Sequence, residues 1–137
     1  MNRTALLAAF VAAIVFFILG ALWYSLLQGP WLAGVGKSYE QLLAEQGGSA
    51  LPYVVGFLAV LVMCLTLAWL ILRTGTRGLL AGATLGAGVA VGIVGSALAL
   101  NYGFEWRAPA LWLINVGYVL LGLTVAGGII GGWARHA

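Results

Sequence analysis

Few side chains in this sequence could act as a nucleophile, a base or a metal ligand. It contains one cysteine, Cys64, one histidine, His136, three glutamates and no aspartate. Cys64 lies in an apolar run with no histidine or acid nearby, and His136 lies one residue from the end. Glu40 and Glu45 are both in a polar loop, where solvation is their simplest role. Because catalysis needs such groups within reach of one another, we expect no enzyme activity, no cofactor and no metal site.

Many of the remaining polar side chains stand among aromatic ones in two stretches, 20–31 and 101–107, and in the first turns of the fourth apolar run. Aromatic side chains with one polar atom concentrate where hydrocarbon meets water. We therefore expect the two stretches to meet near the outer leaflet of a membrane. They would form either a pocket for a lipid or another apolar ligand, or an aromatic belt with a polar network that holds helices together. The pattern favours the aromatic belt, and the ligand pocket is the alternative. The candidate ligand-binding residues are Trp23, Tyr24, Ser25, Trp31, Asn101, Glu105, Arg107, Trp112, Asn115 and Tyr118.

The composition and the apolar runs predict the helices that position these residues. Of the 137 residues, 64% are hydrophobic and 7% are charged, whereas a soluble domain carries roughly 25% charged residues. Four apolar runs, at 5–27, 53–72, 79–100 and 109–132, are long enough for a helix that crosses the hydrocarbon core. The sequence therefore predicts an all-α integral membrane protein, a four-transmembrane-helix bundle that forms a single domain over residues 1–137.

The longest polar segment lies between the first two runs. The Gly-Pro pair at 29–30 is expected to stop the first helix. Further on, Ser38 followed by Gln41 is a capping-box pattern, and Gly47 marks an end. The pattern predicts a short amphipathic helix, Tyr39–Gln46, on the membrane surface. The alternative is a solvated loop with a transient turn.

Glycines are spaced four apart in the third and fourth runs. Small residues at that spacing let helices approach closely in lipid, so we expect a central third helix and self-association through the glycines. The alternative is that the glycines only reflect a GC-rich genome. The candidate packing residues are Gly82, Gly86, Gly88, Gly92, Gly127, Gly128, Gly131 and Gly132.

Basic residues are distributed unevenly around the four runs. One lysine and one arginine, Lys37 and Arg107, fall in the first and third loops. Four arginines fall at the two termini and in the second loop: Arg3, Arg73, Arg77 and Arg135. Since basic residues mark the cytoplasmic side, this distribution predicts cytoplasmic termini in a bacterial inner (plasma) membrane. The net charge of +3 is too small and scattered to indicate nucleic acid as a partner.

Asn115 lies about one and a half turns past Pro109, below the lipid headgroups. A side-chain amide at that depth is costly unless it is bonded, so we expect a partner at the end of the first or third helix. If Glu105 turned inward, Arg107 would be its counter-charge. The expected partners of Asn115 are Asn101, Glu105, Tyr24 and Ser25.

Several short motifs together resemble a bacterial family of small four-span membrane proteins, catalogued as domain of unknown function 1761. They are Gly20-Ala-Leu-Trp-Tyr-Ser25, Trp31-Leu32, Gly36 with a short polar helix, Asn101-Tyr-x-Phe-Glu105 and Gly117-Tyr118. The resemblance covers nearly the whole chain, and Trp-Tyr-Ser is its most specific part. In that family a proline often follows the serine, whereas Leu26 stands here. The resemblance implies a fold and no activity.

Two functions are compatible with this sequence. The first is a non-enzymatic, self-associating membrane protein whose partners are membrane lipid and further copies of itself, with a lipid or apolar-ligand pocket at the outer leaflet. The alternative is a passive channel or small-solute transporter formed at an oligomer interface. A pore would need polar residues along a whole helix face, but the inner halves of the runs offer few, such as Thr66 and Thr84. Proton coupling would need an ionisable group within the bilayer, and the runs contain none.

Overall fold

The apolar runs form four long helices in the computed structural model, which describes residues 1–134. Within that range, four helical spans are long and apolar enough to cross a membrane: Arg3–Leu26, Leu51–Thr74, Leu79–Phe104 and Pro109–Ala134. The predicted all-α four-span fold is therefore confirmed, and the chain is a multi-pass membrane protein. Arg135 and His136 lie outside the described residues.

The first and second spans are single helices, α1 (Arg3–Leu26) and α4 (Leu51–Thr74). Between them lie two short helices, α2 (Gln28–Val35) and α3 (Tyr39–Gln46). The third span consists of α5 (Leu79–Val89), a π-helical segment (Ala90–Gly95) and α6 (Ser96–Phe104). The fourth span is α7 (Pro109–Ala134). Because consecutive spans run in opposite directions, residues 3 and 134 lie at the same end of the bundle.

Helix α3 is the predicted short helix, and its capping box is complete. The Ser38 hydroxyl oxygen accepts from the Gln41 backbone N–H at 3.2 Å, and the Gln41 side chain accepts from the Ser38 backbone N–H at 2.9 Å. Helix α2 is not predicted by the sequence pattern, because the Gly-Pro pair at 29–30 indicates only a stop. Pro30 lies in the first turn of α2, where a backbone N–H needs no partner within the helix. The pair therefore follows a break at Leu27 and opens a new helix.

Helix α7, rather than the third span, is central to the bundle. Of the apolar stretch in each span, 44% is buried in α7 and 17% in the third span. The expectation of a central third helix is wrong because its glycines bring one face close to α7 and leave the other faces exposed. Leu80, Ile93 and Leu100 are among its outward-facing side chains.

The interior is filled with apolar side chains over much of its length. Alanines of α1 let α4 and α7 approach, and larger side chains fill the space between the three helices. Fully or almost fully buried core residues include Ala8, Ala12, Phe16, Cys64, Leu67, Ile71, Leu123 and Ile130. We call the end of the bundle that carries Arg3, Arg73 and Arg77 the arginine end, and the end that carries α2, α3 and the 105–108 connection the polar end.

Candidate functional site

A cavity of about 710 Å³ lies at the polar end. Its walls come from both short helices and from all four spans, and most of the lining side chains are aromatic or aliphatic. This volume falls within the usual range of small-molecule sites, which are mostly apolar with a few placed polar groups. The polar lining residues are Gln28, Gln46, Asn115 and the tyrosines Tyr24, Tyr39, Tyr53, Tyr102 and Tyr118.

Asn115 joins three helices through its side-chain amide. The Tyr24 hydroxyl of α1 donates to Asn115 Oδ1 at 2.9 Å. Asn115 Nδ2 in turn donates to the Tyr102 hydroxyl of α6 at 2.8 Å. Of the expected partners, Tyr24 is present, while Tyr102 takes the place expected for Asn101 or Glu105. Both bonds lie at the cavity wall, so one polar network fixes the positions of α1, α6 and α7 around it.

Aromatic rings surround this network. The Tyr24 ring packs edge-on against Trp31 at a centroid distance of 5.7 Å and against Tyr118 at 5.3 Å. Tyr118 lies over Gly20, and its hydroxyl donates to the Phe16 carbonyl oxygen at 3.2 Å. A methyl group at Gly20 would come within 2.6 Å of the Tyr118 hydroxyl oxygen. Gly20, the first residue of the Gly20-Ala-Leu-Trp-Tyr-Ser25 motif, therefore lets Tyr118 reach α1.

A second cavity of about 330 Å³ continues from the first toward the middle of the bundle. It lies between α1 and α4, where Gly20 and Ala21 face Gly56 and Val60. Four aromatic side chains line both cavities: Phe17, Tyr24, Tyr53 and Tyr118. The site therefore has a wide chamber at the polar end and a narrower apolar groove that runs deeper into the membrane-spanning region.

None of the charged side chains in residues 1–134 lines the chamber. Lys37 and Glu45 form an ion pair at 2.5 Å that ties the start of the α3 segment to its last turn. Glu105 and Arg107 form a second, exposed pair, and the Arg107 guanidinium lies 5.1 Å from the centre of the Tyr102 ring. Glu105 does not turn inward.

The structure separates the ten candidate ligand-binding residues into three groups. Four line the chamber: Tyr24, Trp31, Asn115 and Tyr118. Two tryptophans hold helices together, since Trp23 Nε1 donates to the Ile114 carbonyl at 2.9 Å and Trp112 Nε1 donates to the Gly95 carbonyl at 3.0 Å. The remaining four are exposed and do not line it: Ser25, Asn101, Glu105 and Arg107. The Ser25 hydroxyl donates to the Ala21 carbonyl of its own helix.

Sequence reasoning missed Tyr102, which lies next to the candidate Asn101. The third run was predicted to end at Leu100, but the helix continues to Phe104 and carries Tyr102 onto the face of Leu98. The four-residue spacing of Leu98 and Tyr102 was the available signal. Gln46 and Tyr53 were also missed, and they come to the chamber from two different helices, α3 and α4.

The candidate glycines also occupy different environments. A methyl group on Gly82 would collide with the Gly127 carbonyl oxygen, and one on Gly86 with the Leu123 carbonyl oxygen. Gly131 also lies against Gly82, whereas Gly128 is in ordinary contact distance of Leu79. A methyl group at three others would meet no described atom within 4 Å: Gly88, Gly92 and Gly132. Close packing between α5 and α7 thus uses some of the candidates, while others face outward.

Comparison with known proteins gives one match. A family model described as "Protein of unknown function (DUF1761)" matches residues 7–131, nearly the whole chain. Neither the curated proteins nor the solved structures include a match.

Proposed function

Because the chain belongs to the DUF1761 family of proteins of unknown function, we propose a function from its own site: a non-enzymatic protein of the bacterial inner membrane that binds a lipid or another apolar ligand at the polar end. The observation that carries this proposal is the 710 Å³ chamber, in which aromatic walls surround the Asn115 network. An aromatic belt without a site needs only packed rings at the interface, whereas a chamber of this size has room for a ligand.

The filled interior below the chamber favours binding over conduction. Tyr118 closes over Gly20, and beneath it Phe16, Cys64 and Leu123 are buried in the core. A channel through one copy would have to displace these side chains. Packing of this kind favours a site that does not pass through the bundle to the arginine end.

We propose that the polar end faces the outer leaflet. Arg3, Arg73 and Arg77 lie at the opposite end, and basic residues favour the cytoplasm. A cysteine placed at Ser38 in a Cys64→Ala background should react with a membrane-impermeant maleimide added to whole cells, and one at Thr76 should not. The reverse labelling pattern would contradict this orientation.

We also propose that copies associate through outward-facing small residues. Gly88 and Gly92 lie on the least buried span, and Gly132 lies on α7 where an added methyl group would meet no described atom within 4 Å. Small residues on a lipid-facing helix allow a second helix to approach closely.

The test of the binding function is identification of apolar molecules that co-purify with the protein in mild detergent. We expect a bound molecule at near-stoichiometric amounts in the wild type and its loss in Asn115→Leu. Asn101→Leu is the matched control, because it changes the same residue type at an exposed position outside the chamber. Equal amounts of every apolar molecule in all three proteins would contradict the proposal.

A further inference from the structure

We infer, on the basis of the proposed binding function, that the ligand is a lipid with an uncharged, hydrogen-bonding headgroup, such as a hydroxyl, carbonyl or ester group. Its headgroup would occupy the chamber and its hydrocarbon tail the groove between α1 and α4. Three features of the site lead to this ligand class: the absence of charge in its walls, the hydrogen-bonding capacity that the walls leave over, and the shape of the two connected cavities.

The walls of the chamber carry no charge. Among residues 1–134, no lysine, arginine, aspartate or glutamate lines it. The nearby charged groups Lys37 and Arg107 are already paired with Glu45 and Glu105. A phosphate or carboxylate headgroup would lose its hydration in the chamber without gaining a counter-charge, which is costly, whereas an uncharged headgroup needs only hydrogen bonds.

The walls supply those hydrogen bonds. Tyr102 uses its hydroxyl oxygen to accept from Asn115, and its own hydroxyl hydrogen has no acceptor in the part of the chain that the structure describes. Asn115 has two amide hydrogens and uses one of them. Gln28 and Gln46 also line the chamber, and each side-chain amide carries donors and an acceptor. The chamber walls thus offer both hydrogen-bond donors and acceptors, which suits a headgroup that can donate and accept hydrogen bonds.

The length and the apolar lining of the groove suit a hydrocarbon tail. From Tyr53 to Val60 it follows α4 for about 10 Å at the helical rise of 1.5 Å per residue. Apart from the tyrosine hydroxyls at its upper end, its walls are apolar: Phe17, Gly20, Ala21, Gly56 and Val60. A longer chain would leave the groove between α1 and α4 and enter the bilayer, so the site does not limit tail length.

The test is competition among lipids that share their tails and differ in their headgroups. Purified protein is mixed with equal amounts of dioleoylglycerol, dioleoylphosphatidylcholine and dioleoylphosphatidylglycerol, with oleate as an anionic single chain, and bound lipid is counted by native mass spectrometry. We expect dioleoylglycerol to be retained about tenfold over each charged or zwitterionic lipid, the ratio that 1.4 kcal/mol of differential binding gives. Equal or preferred retention of a phospholipid or oleate would overturn the headgroup inference and leave the binding function standing. Retention of none would overturn both.

Two variants test the headgroup and the tail separately. Gln28→Lys adds a positive charge at an exposed position in the wall and should shift the preference toward dioleoylphosphatidylglycerol and oleate. Gly56→Leu fills the groove and should weaken retention of dioleoylglycerol, while Gly103→Leu, at a glycine with nothing within 4 Å of an added methyl group, should not. An unchanged lipid preference in Gln28→Lys, or unchanged retention in Gly56→Leu, would contradict the placement of the ligand.

Discussion

The two ends of the bundle are built by different means. Toward the arginine end, α5 and α7 touch through backbone at Gly82 and Gly127, and α1 contributes alanines to a filled core. At the polar end, α1, α6 and α7 border a chamber and are joined by side-chain hydrogen bonds through Asn115. We infer that close backbone packing stabilises the arginine end, while the polar end keeps room for a site.

Helix α3 also belongs to the polar end and differs from the closely packed helices of the arginine end. It packs closely against none of the other described helices, yet its side chains Tyr39, Leu42 and Gln46 line the chamber. Its own structure comes from local interactions, the capping box at Ser38 and the Lys37–Glu45 pair. It therefore covers the chamber without being fixed to the core.

The largest expected effect is at the backbone contact between α5 and α7. Gly82→Leu places a side chain where the Gly127 carbonyl lies and should lower the free energy of unfolding by about 3 kcal/mol, because two backbones must separate. Gly88→Leu, on the same helix with open space around it, is the matched control and should change stability little. Thermal unfolding in detergent measures both. A similar loss in the two variants would show that glycine itself, rather than the contact, is required.

The second-largest loss of stability is expected at the hydrogen-bond network of Asn115. Asn115→Leu removes two bonds between helices, each worth roughly 0.6 kcal/mol, and should cost about 1 kcal/mol. Hydrogen exchange should rise in α6 and at the polar end of α1, and stay unchanged around the core residues Leu67 and Ile130. Uniform exchange changes along all helices would show that the two ends are not independent. Asn101→Leu should leave exchange at the wild-type level.

A smaller effect is expected where α7 meets the π-helical segment. The Trp112 indole N–H donates to the carbonyl of Gly95, the last residue of the π-helical segment. Trp112→Phe should cost about 0.6 kcal/mol, the average for a bond between membrane helices, and should raise hydrogen exchange in residues 90–96. Trp106→Phe, at a side chain that is 94% exposed, is the control. No difference between the two would mean that the bond does not stabilise the segment.

The smallest effect on stability is expected at the outer glycines. The double substitution Gly88→Leu and Gly132→Leu should lower the mass of the detergent-solubilised particle, measured by light scattering, because bulk is added where two copies would meet. Its unfolding temperature should fall far less than that of Gly82→Leu, since a methyl group added at either glycine has no described atom within 4 Å. An unchanged mass would confine these glycines to packing within the chain or to lipid contact.

The sequence predicted features that neighbouring residues encode better than features that depend on how distant helices pack. Helix α3 was predicted because Ser38 and Gln41 carry the whole capping motif, and Tyr24 was predicted as a partner of Asn115 from membrane depth alone. The glycines indicated close approach but not direction, so the central place of α7 was missed. Tyr102 was missed because the end of the third helix was placed four residues early. Chamber volume depends on how six helices meet, which no local pattern encodes.

The central claim is that an apolar ligand binds in the chamber and groove rather than on the lipid-facing surface. Its most direct test is photolabelling of the purified protein with a diacylglycerol that carries a diazirine on its tail, with and without excess unlabelled dioleoylglycerol. We expect labelling in residues 17–24 of α1 and 53–60 of α4, which contribute the groove lining, and we expect excess competitor to remove it. Competitor-resistant labelling spread over outward-facing residues such as Val62, Ile93 and Leu100, with none specific to the groove, would contradict it.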